Sequence, residues 1–218
     1  MSDLATRLGL VREQILRAAK SARRKPDDVA LVAVTKQRGA DEIIPLLEAG
    51  VTDFGENRVG EAAEKWPDLK SAYPGARLHM IGRLQSNKAD EVVQLFDVIH
   101  SLDRPSLLQA LAAASERSGR RPQVYVQVNI GAEEQKGGVA VADLPGFLEQ
   151  VGASPLPLAG LMAMPPLDRE AGPYFALLAE LARRHGVEGL SMGMSSDYPV
   201  AIMLGATAIR VGSALFED

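Results

Sequence analysis

The chain has 218 residues, 46% hydrophobic and 24% charged, with a formal net charge of −4 and no cysteine. These are the values of one globular domain with a substantial core, and they exclude disorder, disulfides and thiolate chemistry. The acidic balance without a basic tract, and the lack of any run near the ~20 apolar residues of a membrane span, point away from nucleic-acid and membrane partners.

Residues 4–22 read as an amphipathic helix. Leu4, Leu8, Val11, Ile15 and Ala19 recur at helical spacing, with Arg7, Arg12, Glu13 and Arg17 between them. Arg23, Arg24, Lys25 and Pro26 close it. Met1, Ser2, Asp3 and Leu4 lack the basic-then-apolar pattern of a secretory signal, so a cytoplasmic address is expected. The run Ala30-Leu31-Val32-Ala33-Val34-Thr35-Lys36 then reads as a strand buried on both faces, with Lys36 at its carboxyl end. A helix over 41–49 is stopped by Gly50, and a short strand over 52–57 follows. The pattern continues with a helix over 58–70, a strand over 77–82, and a helix capped by Ser86 that runs to 95. Next come a strand over 97–102, a helix from 103 or 104 to 118, and a strand over 123–130 rich in Val and Tyr. A helix over 142–151 leads to a strand over 158–164 that Pro165 and Pro166 stop. The last third gives a helix over 169–185 with Gly186 at its end and a strand over 189–192. Asp197 caps a helix to 204, and a strand covers 206–211.

Eight strand–helix alternations at ~25-residue spacing predict an α/β fold, a single (β/α)8 barrel over residues 1–218 with an extra N-terminal helix. A doubly wound open sheet is the alternative that strand count leaves standing. In either fold the carboxyl ends of the strands are where ligands bind. That edge holds Lys36, Glu56, Asn57, residues 82–85, Met162, Met164, residues 191–196 and residues 210–213. A lysine there with an apolar wall behind it is partly desolvated, which favours the neutral amine and Schiff-base chemistry. A lysine whose stem packs on the rim with its head in water fits the same run. The loop from Met192 to Asp197 and the stretch Val211-Gly212-Ser213 offer hydroxyls and backbone N–H groups where barrels build phosphate sites. A Ser/Asp helix cap plus a glycine turn reads the same residues without a ligand. An amine facing a phosphate cup suits a phosphorylated aldehyde or ketone, hence pyridoxal 5'-phosphate (PLP) or a Schiff-base sugar-phosphate aldolase. His79, His100 and His185 show no metal-ligand spacing, so no metal is expected.

The sequence resembles the pyridoxal phosphate homeostasis protein family, which is related to the N-terminal TIM barrel of alanine racemase. The likeness rests on Leu31-Val32-Ala33-Val34-Thr35-Lys36, Phe54-Gly55-Glu56-Asn57, the stretch from His79 to Lys88, Gly160-Leu161-Met162-Ala163-Met164, the stretch from Ser191 to Asp197, and Ile209-Arg210-Val211-Gly212. These stretches occur in family order and span nearly the whole chain. The resemblance implies that Lys36 forms the cofactor aldimine, that Ser195, Ser196, Gly212 and Ser213 bind its phosphate, and that Arg210 faces the pyridine nitrogen. It also places Asn57, His79 and Met162 near the cofactor. It attaches no role to Gln85, Asn87 and Lys88, which a capped helix start with a solvated lysine also explains. The family usually continues past the Leu-Phe pair with glycine, where this chain has Glu217 and Asp218.

The implied function is a PLP-binding protein that keeps the free aldehyde low and releases it to PLP-dependent apoenzymes. It is expected to be a monomer and not an enzyme. An arginine opposite the ring nitrogen keeps that nitrogen unprotonated and weakens the electron sink. Racemisation also needs a second base on the far face of the substrate. Of Tyr73, Tyr125, Tyr174 and Tyr198 only Tyr198 falls near the rim, and a packed helix-start residue explains it as well. A weak amino-acid racemase and a sugar-phosphate aldolase are the alternatives.

Overall fold

The computed structural model describes residues 3–216. Its first half runs α1 (Asp3–Ser21), β1 (Ala30–Val34), α2 (Ala40–Glu48), β2 (Asp53–Glu56), α3 (Val59–Ala72), β3 (Arg77–Met80), α4 (Ala89–Leu95), β4 (Val98–Leu102) and α5 (Pro105–Ser118). Its second half runs β5 (Gln123–Gln127), α6 (Leu144–Gly152), β6 (Leu158–Met162), α7 (Gly172–Arg184), β7 (Gly189–Ser191), α8 (Tyr198–Met203), β8 (Ala208–Val211) and α9 (Ser213–Phe216). The eight strands are parallel and pair in sequence order, and β8 returns to β1 with Val32 beside Arg210. This closure excludes the doubly wound sheet. Among the described residues no helix is long and apolar enough to cross a membrane. No group of His, Asp and Glu there could hold a metal.

The apolar core lies between the sheet and its helices rather than inside the barrel. Ala33, Phe54, Leu78, Ile99, Val124, Leu161 and Ile209 point outward into one continuous cluster, and the Phe54 ring packs 5.1 Å from that of Trp66 on α3. Strand alternation sends their neighbours into the barrel, and many of those are polar: Asp53, His79, His100, Ser191 and Arg210 are all buried. The long apolar face of α1 (Leu8, Val11, Ile15, Ala19) packs beside α8 and α9 and helps close the ring.

Several element ends differ from the sequence reading. β1 stops at Val34, so Lys36 sits in the turn two residues beyond the strand. Ser86 does not cap α4 but opens a separate 3-10 turn, Ser86–Lys88, and its hydroxyl accepts from Arg104. α7 starts at Gly172 rather than 169: residues 167–169 form a turn closed by the Arg169 N–H on the Pro166 carbonyl, and Pro173 stands in the first helical turn, where its missing N–H costs nothing. β5 ends at Gln127, beyond which only an isolated bridge joins Val128 to Val139. Asp197 stands at the N-cap of α8, yet its carboxylate accepts from the Met194 N–H, 2.6 Å away, instead of capping the helix. Glu217 and Asp218 lie outside the described residues.

Candidate cofactor site at the barrel rim

The carboxyl ends of the strands surround a cavity of about 490 Å³. Lys36, Asn57, Ser195, Ser196, Arg210, Gly212 and Ser213 line it, together with Val34, Ile81, Gly82, Arg83, Met164 and Met194. Seven of the nine residues proposed from sequence therefore meet in one place. No described carboxylate, histidine or tyrosine joins them on its wall.

Lys36 is exposed rather than sunk behind an apolar wall as its strand run suggests. Its amine makes no hydrogen bond or ion pair with a described residue. What is fixed is the turn beneath it. Gln37 adopts a left-handed φ of 60°, and its N–H donates to Glu61 of α3. The Lys65 ammonium, one helical turn further on, donates to the carbonyls of Thr35 (2.8 Å) and Arg38 (3.0 Å) and pairs with Glu61 (3.0 Å). Glu56, read from sequence as a rim residue, points outward and is fully buried; it accepts from Thr35 Oγ1 (2.6 Å) and Trp66 Nε1 (3.0 Å) and pairs with Lys65 at 2.9 Å. α3 thus clamps both flanks of Lys36 and leaves its amine free. The sequence reading missed Glu61 and Lys65, whose one signal was their i,i+4 spacing.

Across the seventh and eighth loops the donors are small. Gly193 holds a φ of 95°, which the side chain of any other residue would strain, and its carbonyl accepts from the Arg210 N–H. Ser195 Oγ accepts from the backbone N–H groups of Gly212 (3.2 Å) and Ala214 (3.3 Å). The hydroxyls of Ser196 and Ser213 have no partner among the described residues. Three hydroxyls so gathered, one of them anchored by two backbone N–H groups, with no described carboxylate on the wall, form a cup for an anion.

Arg210 is buried, and burial pushes its pKa down to about 10, so it stays charged at neutral pH. Its guanidinium donates to the Ala163 carbonyl (3.2 Å) and to Ser191 Oγ. From Ser191 a chain of hydrogen bonds runs through the barrel: Ser191 Oγ to His100 Nδ1 (2.7 Å), His100 Nε2 to His79 Nδ1 (2.9 Å), and His79 Nε2 to Asp53 Oδ1 (2.8 Å). Burial opposes the Asp53 charge, but hydrogen bonds from His79 and Thr52 and the Arg77 charge outweigh it and hold the carboxyl below its ordinary pKa. Burial pushes His79 down against the pull of Asp53. Burial above all, with the charges of Arg210 and Arg77 beside it, holds His100 well below the ordinary histidine value. With both rings neutral the direction is fixed. Asp53 can only accept, so His79 Nε2 donates; His100 donates to His79, Ser191 to His100 and Arg210 to Ser191.

This chain is where His79 lies. It belongs to the barrel interior and does not line the cavity, and neither does Met162. Met162 ends β6 beside Ser191 and is fully buried; Met164, two residues on, reaches the cavity instead. Tyr198 is also buried, its hydroxyl bonded to Gln14 of α1.

The chain matches the family described as alanine racemase, N-terminal domain, over residues 7–218. It is 43% identical over 205 residues to the pyridoxal phosphate homeostasis protein of Deinococcus radiodurans, covering 93% of this chain and 95% of that protein. It is 35% identical over 232 residues to the protein of the same name from Escherichia coli K12, covering 99% and 97%. Among solved structures, PipY of Synechococcus elongatus with PLP bound superposes with a TM-score of 0.80 at 38% identity, covering 93% of this chain and 99% of PipY.

Proposed function

This chain belongs to the alanine racemase N-terminal domain family, as one of its pyridoxal phosphate homeostasis proteins, and we propose that it holds PLP at the rim cavity through Lys36 and hands it to apoenzymes. It is a PLP-binding protein of cofactor homeostasis. The residues present suit that group. The cavity is within the range of small-molecule sites, its cup of hydroxyls suits a phosphate, and its one free primary amine suits an aldehyde. The bound cofactor supplies an aldehyde for covalent attachment and a pyridine ring able to draw electrons.

Each protein group then has a task. Lys36 is the covalent anchor, presented by a turn that α3 holds still. Ser195, Ser196 and Ser213 would take the phosphate, with Gly212 beside them anchoring Ser195 through its N–H, and Asn57 flanks the anchor. Arg210 donates toward the ring and, being held charged as a donor, keeps the ring nitrogen from gaining a proton. One observation carries the choice of carrier over racemase: among the described residues the cavity wall holds Lys36 as its only amine base and no carboxylate or tyrosine. Proton removal and return on opposite faces of a substrate needs two such groups. We take residues 1–218 as one domain, acting as a cytoplasmic monomer.

The test pairs two assays on the loaded protein. Mixed with a PLP-requiring apoenzyme, it restores activity faster than free PLP at the same free concentration. Incubated with an L-amino acid in deuterated water, it exchanges no α-proton beyond what free PLP gives. Lys36-dependent exchange with no transfer would overturn the carrier reading in favour of a racemase.

A further inference from the structure

Beside the cofactor cavity lies a second one, of about 560 Å³, with four cations on its wall: Arg58, Arg83, Lys88 and Arg104. Among the described residues no carboxylate lines it, in a chain whose net charge is −4. Gathering like charges costs free energy, and apolar walls such as those here focus their field into the cavity. Two of the four are built into the structure. Arg104 pairs with the buried Asp103 carboxylate at 2.5 Å and donates to the Leu84 carbonyl (2.9 Å) and Ser86 Oγ (3.2 Å), which fixes the loop after β3 and leaves Arg58 and Arg83 as the cations whose charge no described carboxylate bonds. Lys88 pairs with Glu91 (2.8 Å) at an exposed position, where such a pair is weak. Arg58 and Arg83 make no hydrogen bond or salt bridge with a described residue. Glu61, whose carboxylate feels Arg58, is occupied by Lys65 and the Gln37 N–H.

We propose that this second cavity binds a small phosphate-bearing anion. Guanidinium forks and an ammonium match phosphate oxygens, while the side-chain amide of Gln85 adds a neutral donor. The wall carries no aromatic ring to stack a nucleobase, so a compact phosphate or phosphate monoester suits it better than a nucleotide. This gives the stretch from Arg83 to Lys88 a task that the cofactor cavity leaves open. Asn57 and Arg83 line both cavities. The loops that carry them are locked together, because a Cβ on Gly82 would meet the Asn57 carbonyl at 2.2 Å. An anion that draws Arg83 toward the second cavity takes it from the first. Occupancy therefore loosens the cofactor, a consequence that rests on the cofactor reading above; the anion site itself does not.

The experiment titrates inorganic phosphate into the PLP-saturated full-length protein by calorimetry. One phosphate per chain should bind beyond the cofactor. Affinity should fall at least tenfold in the double variant Arg58→Gln/Lys88→Gln, persist in Lys88→Arg, and weaken with added salt. Both substituted side chains reach solvent, so a thermal melt should show the double variant folded; Arg58→Gln alone, expected to lose a smaller fraction of affinity, repeats the test. Should the protein take no PLP, the cofactor reading fails by itself. The same titration on the cofactor-free protein then still separates a phosphate lost in the double variant from one lost in Ser196→Ala. No saturable phosphate binding in the millimolar range, or binding that the double variant leaves unchanged, overturns the proposal.

Discussion

The rim and the interior of this barrel use polar residues in opposite ways. At the rim, Lys36, Ser196 and Ser213 keep donors and acceptors that no described residue takes up. Inside the barrel, Arg210, Ser191, His100, His79 and Asp53 satisfy one another in a single file with one permitted direction. Unsatisfied groups are tolerable where water or a ligand can reach them and expensive where neither can. The difference separates residues kept for binding from residues kept for shape, and Arg210 belongs to both. Its guanidinium closes the interior chain and also lines the cavity.

Substitutions should split along that line. Lys36→Ala should weaken PLP binding at least about a hundredfold, ~2.7 kcal/mol, while moving the unfolding free energy by no more than about 0.5 kcal/mol; equilibrium dialysis and denaturant melts read the two. A matching loss of stability would break the contrast. Ser191→Ala should do the reverse first. It strips a partner from the Arg210 guanidinium and from His100 inside the barrel and should cost about 2 kcal/mol by denaturant unfolding. The interior should also impose a pH dependence. His79 and His100 have pKa values lowered in the folded state, so the unfolded chain binds protons first as pH falls. Their stability contribution is complete above the unfolded value near 6.5 and is lost as pH drops toward the folded values, at up to about 1.4 kcal/mol per pH unit for each ring. Melting temperatures from pH 7.5 to 5.5 should fall accordingly, and less steeply in His100→Phe than in the wild type. A flat profile would mean that the rings are not neutral. The smallest effect is reserved for the clamp. Glu61→Gln keeps an acceptor for the Gln37 N–H but loses the charge on Lys65, and should weaken PLP binding about threefold by loosening the Lys36 turn, ~0.6 kcal/mol.

The barrel was legible because its rhythm is local. Strand runs, helix faces and stops such as Gly50 and Gly186, which hold φ values of 79° and 65°, mark their own places. Lys36, Ser195 and Gly212 could be placed on the rim because each sits within four residues of the end of a strand. The interior chain could not be read. All four residues of β2 and all five of β4 are buried, so no polar–apolar alternation tells which face Asp53 or His100 takes. The family resemblance alone sets His79 near the cofactor, and nothing in its strand's pattern speaks against that. Met162 and Met164 differ only by where β6 stops, and element ends are what periodicity fixes least. The α3 clamp was invisible for another reason: Lys65 and Glu61 act across 24 to 30 residues of sequence.

The most direct test asks which lysine carries the cofactor. The PLP-saturated protein is reduced with borohydride, digested, and its modified peptide located by mass spectrometry. The expected result is a single pyridoxyl group on Lys36. Modification spread over Lys65, Lys88 and Lys136 with Lys36 unmarked, or no modification at all, would contradict the assignment of the rim cavity as the cofactor site.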